Sequence, residues 1–352
     1  MNPKLAPPPP ITQETMLALL AVTSEFAAAK PWKVMADCDV VGLMDNQTGG
    51  IRLASVLGNG GDVFGVVVYR RAAGVRWLLN ILKDPEECMD VEAMGSMDCL
   101  KVELITKRFM LKADLAVLKA VNYKPLGKGS VWPQFQSSLP GWPPWFIDQT
   151  EAEQLLGDLP RINAFCRLFC EHPGLYEGRR SGEIPFLPNP MPERPLQIAD
   201  LDWRLLSIPP ETIEPFKATD GQLKQLRALK LAPKVGFEYG TRLLLGSSVL
   251  EQGRPCYSRI SLLVEHQKGL VVAFKLSLTN IPFAESTGTA LVQTLIDAGI
   301  RPGIILIDDR RLESVLGPLC DALDMDLILS DELEFLDEAN DALTRFTNTG
   351  LR

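Results

Sequence analysis

Apolar residues recur along this chain in two distinct rhythms, and the rhythm changes mark the elements. Residues 11–29 carry Met16, Leu19, Leu20, Val22 and Phe26 at near-helical spacing behind the polar start Thr12, Glu14 and Thr15, and Pro31 ends the run. The apolar and β-branched runs 40–44, 51–57 and 63–69 predict strands. Turn-rich Asn46-Gln47-Thr48-Gly49-Gly50 and Gly58-Asn59-Gly60-Gly61-Asp62 join them into an antiparallel meander. A short helix over 75–82, a strand over 98–105 and a helix over 112–121 follow. Residues 150–170 form a long amphipathic helix with Leu155, Leu159, Ile162, Phe165, Cys166 and Phe169 on its apolar side. Proline-dense 185–195 reads as an extended linker, 196–208 as an edge strand around Trp203, and Pro209-Pro210 as a second linker.

Beyond the linker the pattern sharpens. Runs 241–250, 257–265 and 270–278 predict three strands, with His266-Gln267-Lys268-Gly269 as a tight hairpin. Then come a helix over 285–298 and a fully apolar strand over 303–307, as a buried parallel strand requires. A helix over 310–323 carries Leu312, Val315, Leu316, Leu319, Cys320 and Leu323 in one stripe. A strand over 326–329 and a helix over 333–346 complete the run. The order β-β-β-α-β-α-β-α predicts a mixed sheet with helices on both faces. The fold class expected is α/β (α+β): a flexible proline-rich lead over 1–10, an α+β domain with an antiparallel sheet over 11–208, a linker over 209–214, and a ribonuclease-H-like domain over 215–352.

The 352 residues, 46% hydrophobic and 23% charged, suit about two globular domains. Segment 296–352 has 13 acidic against 5 basic residues, so the formal charge of −8 resides there and residues 1–295 are neutral. Basic clusters are short (Lys107-Arg108, Arg179-Arg180, Arg310-Arg311), which disfavours a nucleic-acid partner and an anionic membrane. Seven irregularly spaced cysteines, no apolar run of membrane length and a lead without a secretory core point to reduced thiols and a cytoplasmic location.

Two resemblances enter on the residues. Region 241–332 is similar to the catalytic domain of retroviral integrases and related transposases. That likeness implies three carboxylates holding two divalent metals: on the first strand, at the end of the fourth and on the last helix. Asp308 (or Asp309) matches the fourth strand, and Glu334, Asp337 or Glu338 the helix. The first strand, 241–250, has no carboxylate, so the scaffold is expected to lack the nuclease site. The second resemblance is to an uncharacterised bacterial two-domain family. It rests on Trp132-Pro133-x-Phe135, Pro140-Gly141-x-x-Pro144-Trp145 and the helix near Glu151, and on 262–343, and it implies no activity.

Other constellations have plain structural readings. Asp309 suits an N-cap of the 310–323 helix, and Asp331 with Glu334 has the spacing of a capping box. Cys166, Cys170 and His172 are too few for a structural zinc site and suit a core helix face. With two histidines, His172 and His266, and no G-x-S-x-G, a histidine-based hydrolase is disfavoured. Gly58–Gly61 and Gly127-Lys128-Gly129-Ser130 lack the features of a phosphate loop. No metal and no cofactor is expected. The aromatic segment Trp132, Phe135, Trp142, Trp145 is both a candidate core plug and a candidate surface for a protein or peptide. Trp145, leading into a helix, should be buried, and Trp142, at a turn, partly exposed. The expectation is a non-enzymatic interaction or regulatory protein. Its alternative is a metal-dependent phosphodiester hydrolase using Asp308, Asp331 and Glu334.

Overall fold

The computed structural model describes residues 5–44, 49–84, 91–125, 131–207 and 211–349. It is an α+β protein with two mixed sheets. The first domain opens with α1 (Gln13–Ala29), whose N-cap Thr12 accepts from the Thr15 amide. The meander is β1 (Val41–Met44), β2 (Ile51–Leu57) and β3 (Phe64–Tyr69). Next come α2 (Arg71–Lys83), α3 (Val91–Gly95), β4 (Cys99–Ile105), α4 (Lys112–Ala120), β5 (Trp132–Leu139), β6 (Trp142–Phe146), α5 (Gln149–Glu171), β7 (Glu183–Phe186) and β8 (Asp202–Leu205). The eight strands run β6-β5-β4-β3-β2-β1-β7-β8, antiparallel except where β7 lies parallel to β1.

Helices α1 and α5 bury one sheet face through Leu19, Phe26, Leu155, Leu159 and Phe165. Helix α2 covers the other with Val75 and Leu78 against Leu53, Val67 and Tyr69. Two findings in this sheet go beyond the sequence reading, the second of them a correction. The aromatic segment is a β5–β6 hairpin at its edge, where Pro143 and Pro144 are tolerated because an edge strand has amides that need no partner. The start of the expected proline linker is strand β7 instead. Phe186 is buried over Gly42, and only a residue without a side chain leaves room there, since a Cβ on Gly42 would sit 2.6 Å from the Phe186 ring. The turn Gly127–Ser130 lies outside the described residues.

In the second domain α6 (Asp220–Arg227) precedes β9 (Lys230–Glu251), β10 (Arg254–Glu265) and β11 (Leu270–Leu278). Then follow α7 (Phe283–Ala298), β12 (Ile300–Ile307), α8 (Arg310–Asp321), β13 (Asp326–Leu329) and α9 (Glu334–Thr349). Strand order is β11-β10-β9-β12-β13, with β9, β12 and β13 mutually parallel and the hairpin strands antiparallel. Helices α7 and α8 bury Leu291, Leu295, Leu312, Leu316 and Leu319 on one face. Helix α9 covers the other with Leu333 and Leu336 against Ile260, Leu262 and Val264. Strand β9 begins some ten residues before the expected 241, because parallel pairing with β12 carries it through Pro233 and Gly236. Among the described residues no helix is long and apolar enough to cross a membrane.

Candidate functional site

Strand β12 ends in Ile307, and its chain direction delivers Asp308 and Asp309 to the carboxyl end of the parallel strands, where ligands of such sheets bind. Asp309 caps α8 as expected, accepting from the Arg311 amide at 2.8 Å. Asp308 faces β9 and pairs closely with Arg242. The same guanidinium lies 3.7 Å from Asp337 on α9. Burial works against the Arg242 charge, but the Asp308 hydrogen bond and the negative charges of Asp308, Asp337 and Glu92 outweigh it and raise its pKa further. The first strand therefore brings a fixed cation to the point where Asp308 and Asp337 converge. Asp308 Oδ1 remains buried without a hydrogen-bond partner. The sequence reading found no carboxylate over 241–250; the strand in fact starts at Lys230 and holds one, Glu238, while Arg242, which that reading passed over, is the residue beside Asp308.

Asp331 and Glu334 are exposed at the start of α9. Among the described residues no three His, Cys, Asp or Glu side chains are grouped so as to hold a metal ion. Nor do Asp331 and Glu334 form a capping box. Leu333 and Leu336 press the start of α9 onto the sheet, within reach of Glu238 on β9. Fully buried Glu238 accepts from the Leu336 amide at 2.7 Å, and its other oxygen lies 2.7 Å from His266 Nδ1. The second histidine of the chain thus supports a buried carboxylate at a helix N-terminus. His172 closes the C-terminus of α5. Cys166 is buried in the first core, where desolvation pushes its thiol pKa up, and Cys170 is exposed. Gly58–Gly61 is the β2–β3 turn.

A cleft of about 830 Å³ opens between the domains beside Arg242 and Asp308, with Arg76, Trp77, Glu92 and Arg310 in its walls. Glu92 of α3 forms its inner edge. Its carboxylate accepts from Arg259 Nη1 and Nη2 at 2.9 and 2.8 Å and from the Leu243 amide at 2.7 Å, so a first-domain side chain is anchored on β9 and β10. The Arg259 and Arg311 guanidiniums also lie over the Phe283 ring.

The aromatic segment serves the same junction. Gly141, at the β5–β6 turn with φ +83°, donates to the Gly95 carbonyl at 2.8 Å and accepts from the Tyr257 amide at 3.1 Å. A Cβ there would sit 2.6 Å from the Thr279 carbonyl oxygen, so this contact between α3, β10 and the end of β11 requires glycine. Trp142 is half-buried beneath the Arg254 guanidinium of the second domain. Trp145 is half-buried as well, edge-on to Phe146, and not buried as expected, because β6 is the edge strand of the sheet. Phe135 enters the first core, and Trp132 packs on that core's rim against Tyr123. Nothing in the spacing of these residues signalled that the turn between them meets the second domain. Glu92 and Arg259 carry no sequence signal of pairing either, being 167 positions apart.

Neither a curated protein nor a solved structure matches the chain. Residues 17–186 match a domain of unknown function (DUF7309), and residues 222–344 match a second domain of unknown function (DUF6930). The first match ends with β7 and the second begins inside α6, so the two matches follow the two sheets, and the chain fits an uncharacterised two-domain family.

Proposed function

We propose that this chain is a non-enzymatic interaction or regulatory protein of the bacterial cytoplasm, with a protein or peptide as partner. Its second domain is a ribonuclease-H-like scaffold that has exchanged a metal site for an arginine. One observation carries the reading: Arg242 stands between Asp308 and Asp337. The strand order β11-β10-β9-β12-β13 supports the scaffold, with Asp308 at the end of its fourth strand and Asp337 on its last helix. In the integrase-like arrangement those two positions are carboxylates, and the first strand supplies the one that completes the set. A guanidinium there offsets one of the pair's two negative charges without a metal and would repel a divalent cation. The residues present do not fit a two-metal centre, so no hydrolytic step is derived through one.

The test is thermal unfolding with and without 5 mM Mg²⁺ or Mn²⁺. Only a ligand that binds the folded state raises Tm, so the wild-type protein should shift by less than about 1 °C. Arg242→Asp restores a third carboxylate and should gain a Mn²⁺-dependent shift. A clear shift in the wild-type protein that Asp308→Asn abolishes would overturn the reading in favour of the phosphodiester hydrolase.

A further inference from the structure

A separate cavity of about 550 Å³ lies in the first domain, far in sequence from the Arg242 cleft. Small-molecule sites typically have volumes of about 300–1,000 Å³, with apolar walls and a few placed polar groups. This one fits that description. Met16 of α1, Val117 of α4, Phe135 of β5 and Phe146 of β6 form its apolar walls, and Pro8–Pro10 flank it. The flanking segment is held in place because the Ala6 amide donates at 2.7 Å to the Gly253 carbonyl in the β9–β10 turn.

Two polar side chains reach this apolar space, Asp114 and Gln134, which are 7% and 8% exposed. Gln134 Nε2 donates to Asp114 Oδ2 at 2.7 Å. Burial pushes the Asp114 carboxyl pKa up, while Gln134 and the Leu111 backbone hold it back in part. Both of those donors are neutral. Among the described residues no Lys, Arg or His forms an ion pair with Asp114, although a buried carboxylate ordinarily has one. A cavity wall that is apolar except for a carboxylate without a cation is complementary to one kind of guest.

We infer that this cavity binds a small organic amine, its hydrocarbon body among Val117, Phe135 and Phe146 and its ammonium group on Asp114. An organic acid would set a second carboxylate against Asp114. A neutral alcohol would supply one uncharged hydrogen bond where an ammonium supplies charge-assisted ones. The inference concerns the first domain and stands whether or not the Arg242 reading does.

Calorimetric and ligand-observed NMR titration of the full chain at pH 7.5 tests it, with 2-phenylethylamine, 2-phenylethanol and 3-phenylpropionate as probes. The amine should bind at least about tenfold more tightly than the alcohol, and the acid most weakly. Asp114→Asn should bring amine and alcohol within about twofold of each other. Val117→Phe, which fills the cavity and leaves the carboxylate in place, should weaken both at least about tenfold. Equal binding of amine and alcohol by the wild-type protein would overturn the inference, as would tighter binding of the acid. So would the absence of amine binding at about 10 mM to protein whose circular dichroism is that of the folded state. The wild-type comparison needs no variant, so a failure of Asp114→Asn to fold would not shelter the idea.

Discussion

Glu92→Ala is the sharpest probe of how the two domains are joined. The Glu92 and Arg259 side chains retain only 15% and 11% of their exposure. Truncation removes both hydrogen bonds from Arg259 and the acceptor for the Leu243 amide. Arg259 is then left with Thr241 Oγ1 at 3.4 Å and the Phe283 ring at 5.0 Å, neither of which neutralises it. Breaking a fully buried pair by removing one partner costs about 3–5 kcal/mol, and the residual solvent contact here lowers that to about 2–4 kcal/mol. Glu92→Gln keeps an acceptor for Leu243 but loses the charge, so about half the effect should remain. Because Arg259 and Glu92 lie in different domains, the loss should separate the unfolding transitions of the two domains in scanning calorimetry, and it should speed proteolytic cleavage between residues 206 and 220. A double-mutant cycle with Arg259→Ala should give a coupling of about 1.5–3 kcal/mol. Additive single mutants, or a Glu92→Ala cost below about 0.5 kcal/mol, would refute the argument that this pair holds the junction.

Two further expectations concern each domain separately. Leu316 is fully buried between α8 and the second sheet, so Leu316→Ala should cost about 2–5 kcal/mol in chemical denaturation, and a loss under about 1 kcal/mol would mean that the packing of α8 is misassigned. In the first domain the Arg194 fork, helped by the Gln197 amide, holds the Asp200 carboxyl down at a pKa of about 2. A depressed carboxyl pKa contributes stability above the unfolded value of 3.8, which is lost as pH falls through about 2. In a carbon-detected NMR titration Arg194→Gln should move the Asp200 midpoint up toward 3.8, and an unmoved midpoint would assign the depression to the backbone alone.

What the sequence disclosed and what it withheld divide along a physical line. Periodicity is a local property, so the α8 stripe, the β2–β3 meander and the hairpin at His266 could be read directly, and their burial follows. Capping is also local, yet it was legible only where no distant group competed. Asp309 caps α8 because its own helix is the nearest donor. At α9 the local signal Asp331-x-x-Glu334 gave way to Glu238, because the core contacts of Leu333 and Leu336 placed the helix start over β9.

The same reasoning explains the proline-rich stretches. Proline forbids donation to a sheet, but an edge strand has outward amides that need no partner, and a short parallel pairing such as Gly42 with Phe186 needs few. Composition alone therefore could not separate a linker at 185–195 from strand β7, nor show that the aromatic segment is the β5–β6 hairpin. The candidate site was hidden for a stronger reason. The lack of a carboxylate over 241–250 is visible in sequence, but the strand starts earlier and holds Glu238, and the meaning of Arg242 depends on which residues of β12 and α9 stand opposite it. That register is set by the parallel pairing of β9 with β12, in which Glu238 faces Leu306 and Arg242 lies farther along the strand beside Asp308. An arginine on a strand ordinarily marks a solvated face. Here strand register converts it into the positive centre of a carboxylate pair.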